Sequence, residues 1–201
     1  MSRILCAMSG GIDSSVTAWL LKEAGHDVVG VFMRHGSHAK VDLDLPAKAR
    51  RKQGCCSLED SHDARRVADQ LGIPFYVLNF ESDFHKIVNY FVNEYDRGAT
   101  PNPCIMCNRD LKFGRLFEYA DAVGAEKIAT GHYARLAREE GRMVLRRGRD
   151  EQKDQSYVLF PLGQEQLERT LFPVGDLGKA EVRQIARKAG FRISEKPESM
   201  E

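Results

Sequence analysis

A short polar segment near the amino terminus, SGGIDSS at residues 9–15, joins an apolar run to an amphipathic pattern. The run Arg3–Met8 has the length of a buried strand, and Val16, Trp19 and Leu20 follow the segment on one helical face. Two adjacent glycines allow a tight turn that points backbone N–H groups inward at the start of the helix. The segment therefore predicts a strand–turn–helix unit whose turn forms a nest for an anion.

The polar side chains of this turn suit an anion site as well. We expect Ser14 and Ser15 to cap the helix while their hydroxyls reach a phosphate, and Asp13 to orient either a metal ion or the nest. The turn is neither a Walker loop nor a dinucleotide fingerprint, because G-x-x-x-x-G-K-[ST] and G-x-G-x-x-G are both absent. A serine-capped turn without a ligand is the alternative. The turn follows the first strand of an open sheet, and this position favours a ligand site over a turn without a ligand.

Strand-like and helical patterns alternate along the first two-thirds of the chain. Further strands are predicted at Asp27–Met33, Pro74–Asn79 and Lys127–Thr130, with helices between them. This alternation predicts an α/β, Rossmann-like parallel sheet flanked by helices. Ser57-x-x-Asp60 is typical of a capping box that opens a helix, and it follows a long polar segment from His35 to Cys56.

The pattern changes near Tyr133, where we expect a small second module to start. Ala134–Ala137 and Met143–Arg146 predict a hairpin, and a last helix is predicted near Lys179–Ala189. We therefore expect residues 1–133 to form the main domain and residues 134–201 to form its remainder. The chain stops at KPESME without a closing element, so we expect a truncation.

Composition narrows the class of protein. The 201 residues carry 30 Lys+Arg and 29 Asp+Glu, a formal net charge of +1, which excludes a polybasic tail as the main feature. No apolar run approaches the roughly 20 residues of a membrane span, and the start lacks a signal-peptide layout. Five cysteines in such a chain suit reactive or metal-binding thiols better than disulfides. We expect a cytoplasmic protein that does not bind membranes.

Several further stretches make the sequence recognisable. SGGIDSS resembles the PP-loop of ATP pyrophosphatases, which bind ATP and adenylate a substrate oxygen. The stretches that follow occur in the order seen in the bacterial tRNA-specific 2-thiouridylase family: GVFMR, CCSLEDSHDARRVADQLGIPFYVLNF, TPNPCIMCNRDLKF, ATGHYAR and KDQSYVL. The resemblance implies ATP-dependent 2-thiolation of the wobble uridine of tRNA, by adenylation of uracil O2 and sulfur transfer. It also implies ATP and Mg²⁺ as cofactors, and tRNA and a sulfur-donor or persulfide-relay protein as partners.

The resemblance assigns roles residue by residue. It implies that Cys107 takes part in sulfur transfer, that Asn102, Pro103 and Cys104 contact the target base, and that Lys153, Asp154 and Gln155 contact tRNA. The residues that it implies for ATP are Ala7, Met8, Ser9, Gly10, Gly11, Ile12, Asp13, Ser14, Met33 and Gly131. His132 could hydrogen-bond phosphate or serve as a structural histidine.

The cysteines leave the sulfur chemistry open. The breaker-rich stretch Ala99–Asn108 predicts a loop that leads into a helix, and we expect Cys107 where the loop meets that helix, since a thiolate is favoured at a helix start. Many family members carry Asp where this chain has Cys104, and Cys104-x-x-Cys107 is a metal-ligand spacing. A third cysteine could complete a [4Fe–4S] site, but the family's later cysteine lies beyond Glu201. Cys55-Cys56 could bind metal or be inert, and Cys6 is expected in the core.

Two other functions remain possible for the sequence. One is a different PP-loop adenylating enzyme, against which the paired cysteines of TPNPCIMCN argue. The other is a non-catalytic ATP- or tRNA-binding fragment, because the family's C-terminal β-rich domains are missing. A run of arginines from Arg138 to Arg149 could contact tRNA phosphates, or be an ordinary solvated face.

Overall fold

A computed structural model describes residues 1–35 and 58–195 of the chain. Within these residues, five parallel strands form one sheet in the order β3-β2-β1-β4-β7, and β5 and β6 form an antiparallel hairpin. The strands are β1 (Arg3–Ala7), β2 (Asp27–Arg34), β3 (Phe75–Asn79), β4 (Lys127–Ala129), β5 (Ala134–Glu139), β6 (Arg142–Arg147) and β7 (Thr170–Leu171). The predicted parallel sheet and the predicted hairpin are both confirmed, whereas β7 was not predicted.

Helices connect these strands on both faces of the sheet. They are α1 (Ile12–Glu23), α2 (Leu58–Leu71), α3 (Glu81–Asp96), α4 (Pro103–Met106), a π-helix (Cys107–Arg115), α5 (Leu116–Ala122), α6 (Gln164–Glu168) and α7 (Lys179–Lys188). Short 3₁₀ turns lie at Ser156–Val158 and Arg192–Glu195. In the part of the chain that the structure covers, no helix is both long and apolar enough to cross a membrane.

The described core lies on the two faces of the sheet, as strand alternation requires. Ile4 and Cys6 of β1 pack on one face with α1, α2 and α7, and Leu5 and Ala7 pack on the other with the π-helix and α5. Cys6 has no exposed surface, and burial raises the pKa of its thiol to about 12. Cys6 is therefore a core residue, as expected.

The segment after β4 belongs to the same core. Strand β7 pairs with β4, and Val182 and Ala186 of α7 lie in the same cluster as Val16 of α1. The last helix therefore returns to the first one, next to the glycine turn.

One element differs from its prediction. The stretch Ala99–Asn108 was predicted as a loop leading into a helix, but the helical backbone begins at Pro103 and runs without a break to Ala122. Pro103 occupies the first helical turn, where its missing N–H costs nothing. The predicted capping box at Ser57, the pair Cys55-Cys56, and the stretch KPESME lie outside the described residues, apart from Asp60 in α2.

Candidate active site

The glycine turn, Ser9 to Gly11, lies between the carboxyl end of the central strand β1 and the start of α1. Ser14 Oγ accepts a hydrogen bond from the Ser9 N–H at 3.0 Å and donates one to the Gly11 carbonyl at 3.1 Å. Ser15 Oγ donates to the same carbonyl at 2.9 Å. The capping prediction for these serines was wrong, because the N-cap residue is Gly11 and the hydroxyls bond backwards to it. No side chain of the described residues caps α1, and its first-turn N–H groups suit an anion.

Two glycines allow neighbouring backbone to close around this turn. Gly10 has φ +77° and lies against the backbone carbonyl of Asp60 in α2, where a side chain would collide. Gly131 follows β4, and a Cβ there would lie 2.7 Å from the Ser14 nitrogen and 2.9 Å from the Asp13 carbonyl carbon. The ends of β1 and β4 and the start of α1 therefore meet at one point.

The carboxylate of Asp13, in the first turn of α1, is held by two side chains that are distant in sequence. Its Oδ1 accepts from the Tyr133 hydroxyl at 2.7 Å and from Lys179 Nζ at 2.8 Å, and its Oδ2 accepts from the same Nζ at 2.7 Å. Lys179 is the first residue of α7, and its side chain is only 14% exposed. Both carboxylate oxygens of Asp13 accept hydrogen bonds from these side chains. Asp13 is therefore better placed to orient the nest than to orient a metal ion.

The other predicted nucleotide residues lie at the same edge of the sheet. Ala7 pairs with Val31, and the Met8 N–H donates to the Val31 carbonyl at 2.8 Å. Met33 is buried near the end of β2, 8% exposed. Because carboxyl ends of parallel strands meet at one edge, Met33, Gly131 and the turn lie at the edge of the sheet where open α/β folds bind their ligands.

Two buried histidines lie at this edge. His35 stacks on Phe84 with ring centroids 4.5 Å apart, and burial, with the positive charge of Lys112, lowers its pKa to about 4. His132 Nδ1 lies 2.7 Å from Thr130 Oγ1, and burial followed by Lys112 lowers its pKa well below the ordinary value. Both imidazoles are therefore neutral near pH 7. Because the His132 ring is buried and neutral, a structural role is better supported for it than an ionic contact with phosphate.

The predicted base-contacting residues form the start of α4. Asn102 Oδ1 caps the helix by accepting from the Cys104 N–H at 3.0 Å and the Ile105 N–H at 3.3 Å. Cys107 lies one turn further on, and its own N–H bonds to carbonyls of that first turn. It is therefore Cys104, rather than Cys107, that lies in the first turn of the helix. Both thiols are half-buried and pack against the cluster that contains Ala7 and Met33.

A π-helix of nine residues follows directly from Cys107. Such wide turns are rare and are frequent at functional sites. Gln166 Nε2 donates to the Phe113 carbonyl at 3.0 Å, which fixes this helix to α6. Asn108 is buried, and its Oδ1 has no hydrogen-bond partner in residues 1–35 and 58–195.

The described residues do not by themselves build a metal centre. No group of three or more His, Cys, Asp or Glu side chains is placed to hold a metal ion within the ranges that the structure describes. Cys104 and Cys107 supply two thiols, whereas a [4Fe–4S] cluster with one open iron takes three. The described ligand set is therefore incomplete for a cluster.

The loop Lys153-Asp154-Gln155 is folded by its own side chains. Asp154 Oδ1 accepts from the Gly148 N–H at 2.8 Å, and Gln155 exchanges two hydrogen bonds with the backbone of Tyr133 at 2.9 and 3.0 Å. Two of the three predicted tRNA-contacting residues therefore shape the loop and attach it to the residue that holds Asp13.

The arginines around the hairpin are largely paired with acids. Arg138 lies 3.3 Å from Glu168, Arg146 lies 2.6 Å from Glu139, and Arg149 lies 3.2 Å from Glu181. Exposed pairs of this kind are weak, so a phosphate could displace them. They nevertheless reduce the positive field of this face.

The parallel sheet and the glycine turn between β1 and α1 define a Rossmann-like α/β domain whose first helix starts with a turn suited to an anion. A family model described as tRNA methyl transferase HUP domain matches residues 2–201, and the chain belongs to this family. Among curated relatives, the tRNA-specific 2-thiouridylase MnmA of Rhodopirellula baltica is 50% identical over 222 residues, covering 100% of this chain and 56% of the relative. MnmA of Geobacter metallireducens is 54% identical, covering 99% and 54% respectively. The chain thus spans about half the length of these relatives.

Solved structures of lower identity share the fold. A 4-thiouridine synthetase–RNA complex with bound ATP aligns with TM-score 0.60 at 18% identity, over 98% of this chain and 43% of that one. The NMN synthetase of Francisella tularensis aligns with TM-score 0.56 at 15% identity, over 98% and 66%. Both likenesses concern the fold alone.

Sequence reasoning missed two contributors to the site. Tyr133 was noted only as a boundary, although its place directly after Gly131-His132 puts it at the end of β4. Lys179 was noted only as the start of a helix, and no local pattern links it to Asp13, 166 residues earlier.

Proposed function

We propose that this chain is the ATP-binding and sulfur-transferring part of a tRNA uridine 2-sulfurtransferase that acts on the wobble uridine. The observation that carries the proposal has two parts: the first turn of α1 is uncapped at the end of β1, and Cys104 and Cys107 pack against the cluster that contains Ala7, the last residue of the same strand. Relatives that span the whole chain at about 50% identity are named tRNA-specific 2-thiouridylase, and a structure of the same fold is described with RNA and bound ATP. The names of the relatives support tRNA as the substrate, and the uncapped turn and the ATP-bound structure support ATP.

The first step is activation of the base. The N–H groups of the glycine turn and of the first turn of α1 hold the polyphosphate of ATP, with Mg²⁺ bound to its phosphates. The rest of the nucleotide contacts the carboxyl edge of the sheet at Ala7, Met8, Met33 and Gly131. Uracil O2 attacks the α-phosphate, an O–P bond forms, and pyrophosphate leaves with the electrons of the broken P–O bond. The product is an adenylated base.

The second step replaces oxygen by sulfur. Asn102, Pro103 and Cys104 position the base, and a sulfur atom carried as a persulfide on Cys107 attacks C2. AMP leaves with the original oxygen, and a second thiol cleaves the remaining S–S bond, forming a disulfide. A relay protein delivers the sulfur, and Lys153, Asp154 and Gln155 belong to the tRNA-facing surface. This chemistry assigns the protein to the cytoplasm, where thiols stay reduced.

A [4Fe–4S] cluster on Cys104 and Cys107 is the alternative sulfur carrier. It would supply an open iron that binds hydrosulfide. The described residues give it two thiols, so the cluster needs a third cysteine from elsewhere.

A non-catalytic nucleotide- or tRNA-binding module is the second candidate function. The observation that favours it is the burial of the two thiols, because Cys104 and Cys107 are half-buried against a hydrophobic cluster, as inert thiols often are. Such a module would bind ATP and release no pyrophosphate.

Pyrophosphate release in the presence of tRNA tests the proposal. The wild-type chain should release pyrophosphate only when ATP and tRNA are both present. Asp13→Ala should reduce the rate at least about tenfold, because the first turn of α1 loses its anchor to Tyr133 and Lys179. Asp69→Ala, which changes an exposed acid of α2 by the same charge, is the matched control. Equal rates for Asp13→Ala and wild type would remove the turn from the reaction.

A further inference from the structure

The anion nest contains an electrostatic conflict. The N–H groups at the start of α1 favour a negative ligand, but Asp13 places a carboxylate in that same first turn. An ionised carboxylate within a few ångströms of a polyphosphate repels it strongly in a partly buried site. The nest can bind a nucleotide well only if the charge of Asp13 is compensated.

Lys179 provides a cation at the required place. Its Nζ lies 2.7 Å from Oδ2 and 2.8 Å from Oδ1 of Asp13, so it contacts both carboxylate oxygens. The Tyr133 hydroxyl holds Oδ1 from the other side at 2.7 Å, and Lys179 Nζ lies 5.7 Å from the centre of the Tyr133 ring. Asp13 is 30% exposed and Lys179 is 14% exposed, so this pair is shielded from water more than the surface pairs of the chain.

The position of Lys179 in its own helix does not explain this contact. A lysine in the first turn of α7 faces the positive end of the helix dipole, which is unfavourable. The backbone at this point is nevertheless fixed, because the Lys179 N–H donates to Asp150 Oδ2 at 2.9 Å and the Gly178 N–H donates to Glu181 Oε2 at 2.7 Å. These bonds direct the lysine towards Asp13.

We propose that Lys179 is a positioning residue that neutralises Asp13 and thereby makes the first turn of α1 able to bind the polyphosphate of a nucleotide. It acts through Asp13, together with Tyr133, and couples α7 to the phosphate turn. The inference rests on the proposed function as far as ATP is the ligand of the turn, and it adds a residue that no local motif identifies.

A double-variant cycle on ATP binding tests this role. Titration calorimetry with ATP and Mg²⁺ would compare wild type with Lys179→Met, Lys179→Arg, Asp13→Asn and the double variant Asp13→Asn/Lys179→Met. Lys179→Met should weaken ATP binding about tenfold or more, since the carboxylate is left uncompensated. Lys179→Arg should stay within about threefold of wild type, because it keeps the charge. The double variant should bind within about threefold of Asp13→Asn alone, because no carboxylate then needs compensation.

Lys188→Met is the matched control, since it removes the same charge from the exposed end of the same helix and should bind ATP like wild type. If Lys179→Met unfolds while the double variant folds, the binding data of Lys179→Arg decide, and ATP binding within about threefold of wild type supports charge compensation. If both unfold, Lys179→Arg decides, and loss of ATP binding by that variant contradicts charge compensation.

Two other results would overturn the inference. If Lys179→Met weakens binding equally with Asp13 in place and in the Asp13→Asn background, the lysine acts on the nucleotide directly. If Lys179→Met binds ATP like wild type, the ion pair has no part in binding. ATP binding by wild type, with no thiolation of tRNA by the chain or by a version extended past Glu201, would contradict the proposed function alone, whereas absence of ATP binding would contradict both.

Discussion

For single residues, burial decides which ionisable groups keep their ordinary charge. Cys6 shares its residue type with Cys104 and Cys107, but complete burial keeps it a neutral thiol and removes it from the chemistry. Burial likewise keeps His35 and His132 neutral at the carboxyl edge of the sheet. Sequence patterns predicted the strand that contains Cys6, whereas the charge state of a histidine depends on packing partners such as Phe84 and Lys112, which come from other elements.

His35 should make the protein sensitive to acid. Its pKa is lowered from 6.5 to about 4 in the folded chain, so below pH 6.5 the unfolded chain binds a proton that the folded chain does not. The stability that is present above pH 6.5 should therefore be lost as pH falls towards 4, by about 3 kcal/mol in total. Urea unfolding at a series of pH values measures this loss.

His35→Phe should keep the stack on Phe84 and make the acid limb of that profile, between pH 6.5 and 4, less steep. His132, also buried with a lowered pKa, keeps its own contribution. The exposed His85 provides a control, and His85→Gln should leave the limb as in wild type. A His35→Phe profile as steep as that of wild type between pH 6.5 and 4 would show that other groups cause the acid sensitivity.

Gly131 should tolerate no side chain. A Cβ there would lie 2.7 Å from the Ser14 nitrogen, and the atoms that it would meet are backbone, so α1 must move away from β4. Gly131→Ala should cost about 1–3 kcal/mol of unfolding free energy and weaken ATP binding strongly. Gly163→Ala, whose Cβ has its nearest neighbour at 3.9 Å, is the control for the substitution itself. Wild-type ATP affinity in Gly131→Ala would contradict the close approach.

Among the elements, the helix that starts at Pro103 was the least predictable. Two prolines in ATPNPCIMCN suggested a loop, but Pro103 is a proline at the start of a helix and Asn102 is its cap, two signals that together predict a helix start. The π-helix could not be predicted, because it depends on contacts such as that between Gln166 and Phe113 rather than on a local period. Because the helix starts at Pro103, Cys104 lies in its first turn, and Cys107, which was expected at the helix start, lies one turn further on.

Substitution can separate the observed capping role of Asn102 from its proposed contact with the base. Asn102→Ala removes the acceptor for the Cys104 and Ile105 N–H groups and should lower the free energy of unfolding by about 1 kcal/mol. Asn102→Asp should keep the cap and most of that stability. If Asn102 also contacts the base, both variants should lose thiolation, as measured by nucleoside mass spectrometry. Full thiolation by Asn102→Asp would restrict the residue to capping.

For the whole molecule, the alternation of strands and helices predicted the parallel sheet because local patterns determine both element types. The closure of the domain depends on long-range contacts that no local pattern contains. Strand β7 has two residues, and the pair of Asp13 and Lys179 joins the first helix to the last one. These contacts join residues 134–195 to the glycine turn and the start of α1, and the tRNA-facing role of that segment stays a prediction.

Thiolation of tRNA under anaerobic conditions tests the central claim most directly. The chain and a version extended past Glu201 would be incubated with tRNA, ATP, Mg²⁺ and a sulfur donor, and the nucleosides would be analysed by mass spectrometry. We predict ATP-dependent 2-thiouridine from the extended version, and none from its Cys107→Ala variant, which should still bind ATP. Formation of 2-thiouridine by Cys107→Ala, or its absence from every version, would contradict sulfur transfer through Cys107.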